Sequence, residues 1–491
     1  MEKNLLLGID VGTTGTKSIL FREDGTILGR SYRGYGLRHP GPGRSEQAAE
    51  DWWQAICETV RELCAGEDRR RGVRAISLSL QGGTVVPVDA DGRALRDAIV
   101  WNDSTAEAQA AAFEKEAAPD PYLYERTGWA REGALPAMHI RRMREQEPEI
   151  FAAARYFLTV PDYISLKMTG KAVCDYSDAG INQLADIRRR DYDDVILRFA
   201  GISRSQLPQL AASGEAIGHL TPEAAEELGL TTDCILVAGA HDQYAVALGA
   251  GALKSGDILI GSGTAWVVTA LSDRPDFESG LAQSVPAVPG LWGSLTSLSS
   301  GGICLDWLRK ELQAGEALSY EAIARECPNR TAAEDGLFFF PFSGFYGKNS
   351  SFSRGSFVGM DLAHDIYSLA RAVMEGVAFQ AAMMLEQFAA KPRPEGIILA
   401  GGAGKSALWA QLLADILGLP VRIPAVADLA CVGAAVLAGT GSGLFESCEA
   451  GYRRLAVEEK VILPSGKSPL YRELLGSYQK KAALLAEVYA Q

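Results

Sequence analysis

Residues 5–9 read LLLGI and residues 18–21 read SILF, two apolar runs separated by the Gly- and Thr-rich stretch DVGTTGTK. Short apolar runs bounded by turn residues predict strands, so the N-terminus reads as strand, turn, strand. The polar REDG at 22–25 predicts a second turn, into a third strand, TILGRSY. From Glu46 to Cys64 the apolar positions recur at a spacing near 3.6 and predict a helix. RAISLSLQGGTVVPVDADGR, residues 74–93, predicts two strands around a Gly82–Gly83 break and a turn at Asp89–Gly92. A mostly helical region is expected from Ser104 to about Leu166.

Strand and glycine return at 235–270. There an apolar ILVAGA precedes a small-residue helix, AVALGAGAL, and GDILIGSGTAWVVTAL follows. A long helix is expected from about Asp365. After it, GIILAGGAGKSALWAQLLADILGLPVRI at 396–423 predicts strand, glycine loop, helix, strand. The alternation of strands and helices points to an α/β architecture.

The segment ILIGSGTAWVVTA repeats the logic of LLLGIDVGTTGTKSIL: apolar strand, Gly-rich turn with a Thr, apolar strand. Two such units, about 250 residues apart, suggest two related domains facing one nucleotide; convergent hairpin turns are the other reading. The boundary is expected near 245–255, where GALKSG makes a plausible hinge, giving halves of 1–248 and 249–491.

At 491 residues the chain is too long for a single core, which agrees with two domains. Hydrophobic residues make up 47% and charged residues 22%, the balance of a globular protein, and the apolar N-terminal stretch runs straight into the turn without a signal-peptide layout. No run of 18 apolar residues occurs, so no membrane span is expected. A net charge of −13 argues against nucleic acid or an anionic membrane surface as partners. The eight Cys (57, 64, 174, 234, 304, 327, 431, 448) form no CxxC pair, and with five scattered His they offer no metal-ligand spacing. They read as reduced core thiols of a cytoplasmic protein.

The chemistry concentrates in the glycine loops. Gly12 and Gly15 allow close backbone approach, Thr13, Thr14 and Thr16 offer hydroxyls, and Lys17 offers positive charge, which together suit the phosphates of a nucleotide. Asp10, at the strand end, is placed to hold a cation-bound water beside them. An ordinary Gly/Thr-rich turn stays open on this segment alone. Two other glycine loops do not carry the chemistry their look suggests. GGAGKS at 401–406 lacks the first Gly of a P-loop, having Leu399 there, and GSGTAW and GTGSGL put Trp266 and Leu444 where a dinucleotide fingerprint needs Gly. A loop without side chains at Gly401, Gly402 and Ala403 could instead lie against a purine or ribose, with Ser406 capping the helix from Ala407. In GAHDQ, residues 239–243, Asp242 follows an apolar strand and stands between the two phosphate loops in sequence, where it could accept a proton from a substrate hydroxyl. A helix N-cap is the alternative role for Asp242, and for His241 orienting or packing is favoured over acting as the base.

In this order and spacing, DVGTTGTK, GAHDQ, GSGT, GSFVGMDL with AVMEGVAF, and LAGGAGKSALWAQLLADILGLPV resemble the FGGY carbohydrate kinases, from about Leu5 to Gly441. The resemblance implies two actin-like (ribonuclease H-like) domains closing over ATP, Mg²⁺ and a sugar or polyol in an interdomain cleft. It places Asp10 near the metal, Thr13, Thr14 and Lys17 on phosphate, and Asp242 as catalytic base. Gly263 and Thr264 resemble the second phosphate hairpin, Gly302 and Asp306 the segment beside the nucleotide, and Gly402, Ala403 and Ser406 the adenosine site. Gln81, Gly82, Trp101, Asp103, Asp242 and Gln243 fall on the substrate side. Members are often dimers or tetramers, so a homodimer is among the expectations.

Three segments depart from the family pattern. The family's P-x-x-K-x-x-W has His139 and Arg142 at its Lys and Trp places, and Ser368 replaces a residue that is usually His or otherwise polar. Where xylulose kinases carry Met-His and glycerol kinases Arg-Glu, both lining the sugar site, this chain has Gly82–Gly83, which predicts a roomier pocket. The expected activity is phosphorylation of a hydroxyl of a small sugar (a xylulose- or ribulose-like ketose), polyol or sugar acid. The alternative is an actin-like, ATP-gated binding or chaperone module.

Overall fold

The computed structural model describes residues 4–119, 121–312, 318–330, 332–342, 354–388, 394–455 and 458–489. Two seven-stranded sheets dominate it. In the first, strands Leu5–Val11, Gly15–Arg22 and Ile27–Gly34 form an antiparallel meander, and Val73–Leu80 lies parallel to the other side of Leu5–Val11. Ile235–Val237 and Ala240–His241 then pair parallel to Val73–Leu80.

The second sheet repeats this order. Ile258–Ser262, Trp266–Ser272 and Trp292–Leu298 form the meander, and Ile397–Gly401 and Val421–Pro424 follow in parallel on the other side. The two Gly-rich turns read from the sequence thus occupy the same place, between the first and second strands of each sheet. The echo is one of topology as well as residue type.

Periodicity explains the helix that covers the first sheet. Ala49–Leu63 turns Trp52, Ile56, Val60 and Leu63 inward, and all four are buried against the meander. It starts later than expected because Glu46–Gln47 pairs with Ala98–Ile99. The region expected to be mostly helical contains helices Glu107–Glu116, Tyr122–Thr127, Pro136–Gln146, Pro148–Ala153 and Val160–Thr169. It also contains a strand, Tyr156–Thr159, because those aromatic and apolar residues complete a small sheet with Val85–Val88.

Two helices join the sheets. Asp242–Gly249 leaves the C-terminal edge of the first sheet, and Leu429–Gly441 returns from the second half of the chain to pack on Leu5–Val11 and Val73–Leu80. The two helices also pack on each other. Leu429–Gly441 is buried on every side, so it has no amphipathic stripe for a sequence reading to find. The long helix expected from Asp365 is Ile366–Glu386, capped by Asp365, and Ser368 Oγ donates to the same cap carboxylate at 3.1 Å. All eight cysteines are buried free thiols. Among the described residues no helix is long and apolar enough to cross a membrane.

Candidate active site

A cavity of about 590 Å³ opens between the two sheets. Thr13, Gln81, Gly82, Trp101, Asp242 and Gln243 line it from the first half of the chain. Val267, Leu295, Thr296 and Ser297 line it from the second. The sequence-predicted substrate residues therefore converge on one space, with a single exception.

The exception is Asp103. It is 1% exposed and does not line the cavity. One carboxylate oxygen accepts from Ser45 N–H at 2.8 Å, and the other accepts from Thr105 N–H at 2.9 Å and from the Thr105 hydroxyl. Burial raises its pKa, but these donors outweigh it and hold the carboxyl below the usual range. Asp103 fixes the loop that presents Trp101. Behind it stands His139, fully buried on helix Pro136–Gln146, its Nε2 3.2 Å from Asp103 O, with burial lowering its pKa to about 4. Arg142 on the same helix lies 3.5 Å from Glu147, so both departures from the family segment pack locally.

The first Gly-rich turn is held by its own backbone, Gly12 N–H donating to Gly15 O at 3.1 Å. Gln47 Nε2 reaches Thr13 O at 3.0 Å, and Trp101 Nε1 donates to Thr13 Oγ1 at 3.1 Å. Asp10 and Lys17 are direct cross-strand partners, and Ser79 Oγ donates to Asp10 Oδ1 at 2.9 Å. Burial pushes the Asp10 carboxyl up to about 6, against the Ser79 hydrogen bond, and the nearby Asp242 pushes the same way. A half-buried carboxylate in such surroundings could hold a divalent cation. The described residues hold no cluster of three ligand side chains.

The second turn gathers the remaining residues that the sequence places on the nucleotide side. Gly302 N–H donates to Gly263 O at 3.1 Å, and Gly301 N–H and Ile303 N–H donate to Thr264 O at 3.1 and 3.3 Å. Gly402 N–H donates to Ser262 O at 2.7 Å, and Ala403 N–H to Ser262 Oγ at 3.0 Å. Three glycine loops thus meet at Ser262–Thr264. Ser406 caps Ala407–Leu417 by accepting from Trp409 N–H at 3.2 Å, as expected. Asp306 lies further along helix Ile303–Glu311, where Tyr320 Oη and Arg309 engage its carboxylate.

Asp242 is the first residue of helix Asp242–Gly249, with His241 in the cap position. Its carboxylate lies 3.6 Å from His241 Nε2, and the residue lines the cavity. The N-cap alternative is not what the backbone adopts.

Gly82–Gly83 corrects the expectation of a roomier pocket. A Cβ at position 82 would stand 2.4 Å from His241 Cδ2 and 2.9 Å from Asp178 Oδ1, so that space is already filled. At Gly83, φ is +71°, a conformation that favours glycine. Sequence reasoning missed Asp178, Trp129 and Glu132. Trp129 and Glu132 line the cavity from the loop after Tyr122–Thr127, and burial, then Glu107, raises the Glu132 carboxyl. Asp178 is buried in the short helix after Asp175, and the acidic pair Asp175/Asp178 in a small-residue segment was its one available signal.

The model of the FGGY family of carbohydrate kinases, N-terminal domain, matches residues 5–249, and that of the C-terminal domain matches 258–442. The chain is 28% identical over 508 residues to a gluconokinase of Bacillus subtilis, covering 99% of this chain and 97% of that one. It is 31% identical over 442 residues to the xylulose kinase of Escherichia coli, covering 88% and 89%. The crystal structure of xylulose kinase from Rhodospirillum rubrum superposes with a TM-score of 0.92 at 28% identity, over 99% of this chain and 100% of that one.

Proposed function

The chain belongs to the FGGY family of carbohydrate kinases, and from that premise we propose that it phosphorylates a hydroxyl of a small neutral sugar or polyol, a xylulose- or ribulose-like ketose being the leading candidate. It is an ATP-dependent carbohydrate kinase with the two-domain actin-like fold. The alternative of an ATP-gated binding module is set aside by that membership.

One observation carries the choice of acceptor. The cavity between the sheets is lined by two carboxylates, Asp242 and Glu132, and by no Lys or Arg among the described residues. A sugar acid would bring its own carboxylate against two others without a cation to offset them, which disfavours it. Sugar hydroxyls find Gln81, Gln243, His241 and Thr296 as hydrogen-bonding partners, and Trp101 and Trp129 offer faces for the sugar's C–H surface. Phosphorylation of a sugar acid is the second reading, favoured by the gluconokinase among the relatives.

In the proposed mechanism Asp242 accepts the proton of the acceptor hydroxyl as its oxygen attacks the γ-phosphorus of ATP and ADP leaves. Thr13, Thr14 and Lys17 on the first turn, and Gly263 and Thr264 on the second, hold the phosphates. Gly402, Ala403 and Ser406 pass beside the adenosine, with Gly302 and Asp306 next to it. Asp10 is the residue that would hold Mg²⁺ through water, and the bound ion supplies charge neutralisation at the phosphates. A division near residues 248 and 249, with sugar and catalytic base on the first domain and nucleotide on the second, is part of this reading. It is supported by the limits of the two family matches.

The test is substrate-dependent ADP release over a panel of ketoses, alditols and aldonates. A neutral ketose or alditol should give the highest kcat/KM. An aldonate as best acceptor would overturn the proposed substrate class.

A further inference from the structure

The acceptor wall of this chain is built differently from the pattern its relatives suggest. With glycine at 82 and 83, neither position can offer a side chain to a sugar. The space beside Gly82 is nevertheless occupied: His241 Cδ2 and Nε2 and Asp178 Oδ1 stand 2.4, 2.8 and 2.9 Å from where a Cβ on Gly82 would lie. Real Cβ atoms do not tolerate contacts this short, so the imidazole and a side chain at 82 exclude each other.

His241 is firmly seated. Its backbone N–H donates to Ser177 Oγ at 2.8 Å, and Ser177 Oγ donates to Asp175. The ring leans on Tyr244, centroids 5.9 Å apart. It lines the cavity next to the proposed base, Nε2 3.6 Å from Asp242 Oδ1.

The same corner collects buried polar atoms without protein partners: His241 Nδ1, Gln81 Oε1 and both carboxylate oxygens of Asp178. Burial, then Asp175 and Asp242, pushes the Asp178 carboxyl well above its ordinary range. Orphaned buried donors and acceptors are costly, and a group that both donates and accepts would satisfy them. A sugar hydroxyl is such a group.

We propose that His241, occupying the space denied to a side chain at position 82 and backed by Asp178, is the acceptor-recognition residue of this kinase, and that Gly82 and His241 form an obligate pair. This rests on the kinase reading above, while its test is run on whichever acceptor of the panel is best. Should that be an aldonate, the neutral-acceptor reading falls and the His241 test still applies.

Four variants decide it: His241→Ala, His241→Gln, Gly82→Ala, and Gly82→Ala combined with His241→Ala. Loss of one hydrogen bond to a substrate hydroxyl should raise the acceptor KM of His241→Ala about tenfold, with ATP KM changed less than about twofold. His241→Gln, which keeps a polar atom near the place of Nε2, should recover most of the loss. Gly82→Ala should melt below wild type, and adding His241→Ala should restore the melting temperature toward that of His241→Ala alone. An acceptor KM unmoved by His241→Ala, or a double variant that melts at the sum of the two separate losses, would overturn the proposal.

Discussion

Lys17 Nζ lies 3.7 Å from Asp428 Oδ1, joining the first Gly-rich turn to the residue that leads into helix Leu429–Gly441. Arg30 Nε lies 3.7 Å from the other oxygen of the same carboxylate, and Cys431 Sγ stands 3.6 Å from Lys17 O. Lys17 is half-exposed, and an ion pair at that exposure contributes little to stability. It does set the direction of the ammonium, above the strand end where Asp10 stands opposite. Triphosphate charge competes well against a single, partly hydrated carboxylate.

Lys17→Met should therefore raise ATP KM about tenfold or more, the cost of a lost charge-assisted hydrogen bond. The melting temperature should hardly move. Steady-state kinetics at saturating acceptor check it; an ATP KM equal to wild type would remove Lys17 from the phosphate site.

Asp10 gives a pH signature. Its carboxyl is pushed from 3.8 up to about 6, chiefly by burial, with Asp242 and Asp428 adding repulsion against the help of Ser79 and Lys17. A folded-state pKa above the unfolded one means that the folded protein holds a proton the unfolded chain has released. The group's contribution to stability is then full below 3.8 and is lost as pH rises through about 6. Without added metal, wild type should lose stability relative to Asp10→Asn across that window, measured by urea unfolding at matched pH. Asp162, Asp175 and Asp178 are also shifted upward by burial, but they titrate in both proteins and cancel in the difference. Millimolar Mg²⁺ at pH 7 should stabilise wild type and not Asp10→Asn. Parallel curves with and without the ion would argue against Asp10 as the metal residue.

The two Gly-rich turns and most of the cavity lining were legible in the sequence, because both depend on local patterns. A Gly-rich turn between apolar strands, or a carboxylate at a strand end, is written in a few consecutive residues. Asp103 misled because, beside its near neighbour Thr105, its partners Ser45 and His139 come from two distant segments that only the fold brings to it. Gly82 misled in the opposite direction. Two missing side chains read as empty space, yet His241, far along the chain, fills it. Helix Leu429–Gly441 left no periodic signal because it is buried all round, though it covers the strand that carries Asp10.

That helix supports a third prediction. A Cβ on Gly433 would stand 2.0 Å from Ala245 O, and one on Gly249 would stand 1.9 Å from Leu429 O, so the two joining helices touch backbone to backbone. Gly433→Ala forces them apart and should lower stability by about 1–3 kcal/mol, the usual cost of overpacking. Because Asp242 begins one of the two helices, kcat should fall as well, with acceptor KM rising as the cavity loses its shape. Urea unfolding and kinetics on the same preparation check it; full stability in Gly433→Ala would mean that the helices tolerate separation.

Asp242→Asn separates chemistry from recognition. The substitution keeps the size and the place of the side chain on helix Asp242–Gly249 but removes the group that can take a proton. Asp242 is about one-third exposed and is the first residue of its helix, not the cap, so folding should be unaffected. Under the proposed mechanism kcat falls about 10²–10⁴-fold, the range for a lost general base, while both KM values stay within a few-fold. His241→Ala should do the reverse, moving acceptor KM more than kcat. If the two variants changed the same parameter by the same factor, imidazole and carboxylate would be acting as one unit, and the separate roles given to them here would be wrong. Wild-type turnover in Asp242→Asn would remove this residue as the base, and the buried acid of the same corner, Asp178, would be the next to replace.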